Sequence, residues 1–403
     1  MKEAVSPPDQ PGPRRSKADF VLLCFAGYCF ALAYGMTFLL PLLMETQGAN
    51  EAVAGNIISS ASVTSVIAAL LSGHFSDSFG TCRAAMIAGG CLAASVLGFA
   101  LIPNVRSAYL LALLFGTGWG AFYVLGPILA ARILTGERRD HGFALLAGFM
   151  MSGIGTGPII GGATLSAGAP VSSAFLLAGA VVALGVLSLG VLGRRMGAQE
   201  VSAGTGDRLS WASLRAVMRS TAAQPIFMVG VAGAVFGGLS SFQTSYAASH
   251  GFAFIDYFAG FTIAAIFARL FLAPYALRSP QPLMNLLLTA VMAIAVGLFI
   301  LIEDSTTFYV FSSALFGASY GLHYSLLNSQ ATRAAPEKLV PQSLVLFSLS
   351  YFIGALGMPK IAGWIVTTLG TEALSYGLFF VAVLNFSVAL FGIAVRKRAS
   401  IVR

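Results

Sequence analysis

Apolar runs of about 20 residues, each long enough to cross the hydrocarbon core of a bilayer, recur along this chain with short polar breaks between them. Twelve such runs are predicted as helices, over 20–44, 53–75, 84–103, 107–133, 142–165, 171–193, 224–249, 255–277, 283–302, 307–332, 341–368 and 373–395. The longest polar stretch, 194–223, divides them into two sets of six. The expected organisation is a basic tail (1–19), a six-helix bundle (20–193), a linker (194–223), a second six-helix bundle (224–395) and a short tail (396–403). Within the linker, Trp211, Leu214, Val217 and Met218 share one helical face and Arg208, Arg215 and Arg219 another. That pattern suits either a short helix lying on an anionic leaflet or a solvated connector.

Composition sharpens this picture. Of 403 residues, 57% are hydrophobic and 9% charged, against about 25% charged in a soluble domain. The net charge of +8 therefore belongs to membrane topology, and no nucleic-acid partner is expected. An even number of spans puts both ends on one side of the bilayer. Of the 23 Lys and Arg, only Arg106 falls in an opposite loop and only Arg269 and Lys360 within spans; the rest sit on the side of the termini, which makes that side cytoplasmic. The expected location is a plasma membrane of the bacterial inner-membrane kind, with both termini inside. The first apolar run is too long for a signal peptide and should stay as the first span. Cys24, Cys29, Cys82 and Cys91 have neither metal-site spacing nor an external position, so no disulfide and no metal are expected.

Two stretches repeat each other. "LFGTGWGAFY" (114–123) and "LFGASYGLHY" (315–324) share Leu-Phe-Gly, an aromatic-Gly pair and a final Tyr. The same register carries Arg132 onto Arg333, Gly153 onto Gly354, Pro158 onto Pro359 and Gly162 onto Gly363. With six spans per half, matching helices run in the same direction. The predicted fold is thus an all-α membrane protein of two parallel six-helix repeats, the plan of transporters that rock about a central site.

On these residues the chain resembles the major facilitator superfamily over essentially its whole length. "GHFSDSFGTCR" (73–83) is similar to that superfamily's loop signature, and "GIGTGPIIGG" (153–162) resembles the helix 5 signature of its proton-coupled antiporters, exporters of drugs and metabolites. The resemblance makes Gly73, Asp77, Gly80 and Arg83 parts of a cytoplasmic gate; Asp77 capping the next helix is the plainer alternative. It likewise gives Gly153, Gly157, Pro158, Gly161 and Gly162 a role in closing the external side between the halves. Gly153, Gly157 and Gly161 recur every four residues and form a stripe that admits another backbone, while Pro158 bends the helix. Generic small-residue packing would leave the same stripe. The second half departs from the gate pattern, with Ala273 and Leu277 where Gly and Asp would match.

Candidate chemistry is sparse. The fifteen acidic residues fall in loops or near span ends, so His323 is the leading carrier of a coupling proton, with Asp19, Glu45 and Asp77 as alternatives. Tyr34, Trp119, Tyr123, Tyr320 and Tyr324 lie near mid-span on helices that line the cavity of the resembling fold. Lys360, deeper, is expected to be neutral, bonded to carbonyls, or facing an anionic substrate, and Arg269 to snorkel toward the cytoplasm. This set suits an amphiphilic molecule with an acidic group, such as a carboxylate metabolite or siderophore. No phosphate loop is present, which excludes an ATP-driven pump, and four scattered histidines supply no catalytic cluster. The expected function is export of a small molecule by proton antiport, from a monomer without cofactor. Uptake by symport or facilitated diffusion, and a receptor without transport, are the alternatives.

Overall fold

The computed structural model describes residues 13–102, 104–134, 138–197 and 211–401. Within them the chain is helical throughout: α1 (Pro13–Met36), α2 (Leu40–Glu45), α3 (Glu51–Phe79), α4 (Thr81–Leu101), α5 (Val105–Ile133), α6 (Arg138–Ser166), α7 (Val171–Met196), α8 (Trp211–Met218), α9 (Ala223–Ser241), α10 (Gln243–His250), α11 (Phe254–Phe267), α12 (Ala273–Arg278), α13 (Gln281–Leu298), α14 (Thr306–Ala334) and α15 (Val340–Ile401). The linker residues 198–210, with Arg208, and tail residues 1–12 lie outside the described residues.

Ten helical segments among the described residues are long and apolar enough to cross a membrane, not the twelve expected. Two physical reasons account for the difference. The 62 residues of α15 run on continuously, yet Gly370 breaks them with φ 89°. At about 1.5 Å per residue such a helix would be roughly three times the thickness of a hydrocarbon core, so the turn at Gly370 separates two spans' worth of helix. The second reason is α14, 29 residues long but carrying Ser312, Ser313, Ser319, His323 and Gln330, all buried. Its polar face looks into protein, and these residues lower its mean hydropathy below that of the other spans.

Three expected spans are continuous in sequence but interrupted in backbone. A 3₁₀ turn at Thr37–Leu39 separates α1 from α2, Phe242 separates α9 from α10, and a π-turn at Ala268–Leu272 separates α11 from α12. The connector helix α8 leaves Trp211 87% exposed while Val217 is buried.

The packing follows a simple plan. In the first half α1 packs on α6 and α7, α5 on α3 and α4, and α4 on α7. In the second, α9 packs on α15, α14 on α11 and α13, and α13 on α15. Two seams join the halves, α3 against α15 and α6 against α11. Asp19 and Arg195, 3.4 Å apart, tie the start of α1 to the end of α7 at the near end, where the chain starts. The far end carries the α2–α3 turn and the Gly370 break.

The glycine stripe of α6 has a different neighbour from the one expected. A Cβ on Gly153 would strike the Tyr28 carbonyl, one on Gly157 the Leu32 carbonyl and Gly35, and one on Gly161 the Leu39 side chain. All of these belong to the first half. The stripe is where α1 lies on α6, and only the interleaved Gly155 (on Thr262) and Gly162 (on Ile255 and Phe254) meet the second half. The four-residue spacing selects one helix face, and that face turns inward to its own bundle.

Gly157→Leu is therefore expected to lower the protein's stability in detergent by about 1–3 kcal/mol, the usual penalty of overpacking. Gly73→Ala, whose new methyl meets nothing within 4 Å, should melt like the unmodified protein. An unchanged melting temperature for Gly157→Leu would show that this backbone approach does not hold α1 to α6.

Candidate functional site

Midway along the bundle, aromatic rings from five helices meet. Trp119 of α5 stacks on Tyr34 of α1 with ring centroids 4.9 Å apart. One turn further along α5, Tyr123 stacks on Tyr351 of α15 at 5.7 Å, and its hydroxyl meets that of Tyr324 from α14. Tyr320 of α14 stacks on Phe236 of α9 at 4.7 Å. The Tyr351 hydroxyl lies beside those of Tyr34 and Tyr320. The box thus contains rings of both halves, with Tyr123 reaching across to Tyr324 and Tyr351.

Helical spacing explains how. Trp119 and Tyr123 are four residues apart on α5, as Tyr320 and Tyr324 are on α14, so each pair projects from one face. Each ring follows a glycine by three residues, Gly116 and Gly120 on α5 and Gly317 and Gly321 on α14, and these glycines seat α5 on α3 and α14 on α11. The "Gly-aromatic" stretches thus place a close helix contact directly beside an aromatic wall on neighbouring faces of one helix.

Arg269 completes the box. It sits on the π-turn, and such turns often mark functional positions. Its Nε donates to the Gly321 carbonyl at 3.2 Å, its Nη1 to the Ala147 carbonyl of α6 at 3.4 Å, and its guanidinium carbon lies 5.4 Å from the Tyr324 ring centroid. The expected snorkelling toward the near-end surface does not occur: carbonyls of both halves and an aromatic face hold the cation inside. Two of its five N–H donors are used by these carbonyls.

Lys360 corrects the expectation in the opposite sense. Its side chain is exposed, on the same outward face of α15 as Ile353, Ile361 and Trp364. Only its amide looks inward, donating to Ser59 Oγ at 2.8 Å. The basic side chain at the aromatic box is Arg269, not Lys360. Tyr351 was the other residue missed; it is a mid-span aromatic like the five singled out, but on a helix that the internal repeat did not highlight.

His323 is wholly buried, and neither ring nitrogen has a hydrogen-bond partner. Trp119 Nε1 is buried and unpartnered too. Of the alternative carboxylates, Asp19 pairs with Arg195, and Glu45 is exposed.

At the near end, Gly80 turns the chain between α3 and α4 with φ 85°. Asp77 does not cap α4, whose N-cap has no side-chain bond; the link across the turn is Ser76 Oγ to Thr81 Oγ1 at 2.6 Å. Gly73, Asp77 and Arg83 are all exposed, and Asp77 and Arg83 form no ion pair among the described residues. This face of α3 is bare, whereas the far ends of both seams are shut.

A helical bundle with two seamed halves and a ring-lined, cationic centre defines a multi-pass membrane transport protein. Residues 21–359 match the sequence profile of the Major Facilitator Superfamily, and the chain belongs to that family. It is a transporter of small molecules, not an enzyme. Over 159 residues it is 27% identical to a gentisate transporter of Corynebacterium glutamicum, a match covering 40% of this chain and 36% of that relative's length. Solved structures with the same fold include a POT family transporter in complex with a thioalcohol-conjugated peptide (TM-score 0.74, 15% identity, 94% of this chain and 96% of that one). The nucleoside transporter NupG is another (TM-score 0.74, 14% identity, 94% and 99%).

Because Asp77 is exposed and unpaired here, Asp77→Asn is expected to leave the melting temperature unchanged while slowing transport in proteoliposomes. Unchanged transport would remove Asp77 from the gate; a lower melting temperature would give it a structural role instead.

Proposed function

We propose that this chain carries a small carboxylate-bearing organic molecule across the plasma membrane by alternating access, with Arg269 receiving the carboxylate and the aromatic box holding its apolar body. The observation that carries this reading is Arg269 itself, a cation held between both halves at the aromatic centre with donors to spare. A carboxylate accepts two parallel N–H bonds from a guanidinium, and Tyr123, Tyr324 and Tyr351 supply ring faces and hydroxyls beside it.

Twelve spans in two parallel repeats are the topology this mechanism uses. The recurrence of packing partners supports it: Gly153 lies on α1 as Gly354 lies on α9, and Gly116 lies on α3 as Gly317 lies on α11. The distribution of Lys and Arg supports cytoplasmic termini in a bacterial inner membrane, which makes the far end external. The helix 5 stretch supports export by proton antiport, with Gly155 and Gly162 sealing the external side and a monomer as the working unit. His323 is the proposed proton carrier. It is buried, titratable, and left without a partner in this conformation.

Gentisate, an aromatic carboxylate, and its uncharged methyl ester are the probes. Arg269→Gln is expected to weaken gentisate binding roughly tenfold or more, the worth of hydrogen bonds to a charged group, and to leave ester binding nearly unchanged. Equal losses for acid and ester, or none for the acid, would overturn the carboxylate reading. For coupling, His323→Gln should abolish transport driven by a pH gradient in proteoliposomes while exchange without a gradient continues. Full gradient-driven transport in that variant would move the proton to another residue.

A further inference from the structure

The two seams that shut the far end are built differently. Where α3 meets α15, three polar contacts cross between the halves. The amide of Ala52, unpaired within α3 because it lies in the first turn, donates to Thr367 Oγ1 at 2.9 Å. Ser59 Oγ donates to the Gly357 carbonyl at 3.0 Å and accepts from the Lys360 amide at 2.8 Å. Pro359, which has no amide to donate, lies between those two residues in sequence. The Ser59 hydroxyl, almost fully buried, bonds the backbone on both sides of that proline from the other half of the molecule. Gly55 brings the helices close enough, since a Cβ there would strike the Pro359 carbonyl.

At the far end of the α6–α11 seam the contact among the described residues is steric only. Thr262 crowds Gly155, and Ile255 and Phe254 crowd Gly162, near the matching Pro158. The Thr262 hydroxyl is buried and has no hydrogen-bond partner.

We infer that Ser59 is the latch of the far-end-closed state, a positioning residue for the transport cycle whose hydroxyl bonds the backbone on both sides of Pro359 only while α3 and α15 are together. When the far end opens, Ser59 leaves, and its bonds to the Gly357 carbonyl and the Lys360 amide are lost. In the interior of a bilayer an unsatisfied backbone group is expensive. The closed state is therefore favoured by hydrogen bonds on one seam and by packing alone on the other, and α3–α15 is the seam whose release is limiting. This inference depends on alternating access and not on the identity of the substrate.

The test is a far-end distance measurement by double electron–electron resonance on purified full-length protein in nanodiscs without substrate. Spin labels go at Ala167 and Asp304, both exposed at the far end, one in each half, after replacement of Cys91, the native cysteine that is not buried. Ser59→Ala is expected to raise the ratio of open to closed populations about fivefold to tenfold, the effect of losing the two hydrogen bonds of the Ser59 hydroxyl. Ser59→Thr, which keeps the hydroxyl, should restore the closed population. Thr367→Val should open the far end as Ser59→Ala does, and Thr262→Val should leave the distances unchanged. An unaltered distribution in both Ser59→Ala and Thr367→Val would overturn the latch, as would an equal opening by Thr262→Val, because then the hydroxyl's bonds are not what holds the seam.

Discussion

In lipid, helices gain nothing by hiding apolar surface from one another, because the tails are as apolar as the side chains. What remains is close packing and the pairing of polar atoms. This structure depends on both through backbone approach: Gly35 on Ile154, Gly55 on Pro359, Gly116 on Ala61 and Gly354 on Gly230 each lie where a Cβ would strike a carbonyl. Everything at the centre follows from these contacts. Helices seated this closely can carry large rings beside the contact, and Trp119, Tyr123, Tyr320 and Tyr324 each stand three residues on from a glycine of their own helix, on the neighbouring face.

The fold was legible in the sequence to the extent that hydrophobic length and internal repetition encode it. The helices lie where the apolar runs are, and the repeated Gly-aromatic stretches mark the two helices that furnish most of the box. The helix α14 was expected over 307–332 and lies there, although its buried serines and histidine lower its hydropathy below that of an ordinary span. The site was readable in part. Five aromatic residues picked for their depth do come together, but depth carries no information about facing. Lys360 and Arg269 look equivalent as basic residues within apolar runs. Rotation about the helix axis turned the first to the outer surface, and a π-turn helped bring the second to the centre. The glycine stripe of α6 misled for the same reason: spacing specifies a face, not its neighbour.

Charge explains why the centre has so few ionisable groups. Arg269 is retained there by two carbonyls and an aromatic face, and among the described residues it pairs with no carboxylate. Carbonyls solvate a cation without neutralising it, so the positive potential at the box persists. A carboxylate in the same place would cancel that potential and leave nothing for an acidic molecule to recognise. The histidine is separate from this cation in its hydrogen bonding.

The polarity of α14 has a consequence for how the protein is made. A segment with serines, a histidine and a glutamine along its length gains little by leaving the translocon for lipid alone. It becomes acceptable to the membrane only when α11 covers its glycine face and α13 receives Gln330 through Asn285, whose Nδ2 donates to the glutamine at 2.7 Å. Biogenesis of the second half is therefore collective, with α14 entering the bilayer in the company of helices synthesised before it. Synthesis order then matters as much as hydropathy: both partners precede α14 in the chain, so its companions are already at hand when it emerges.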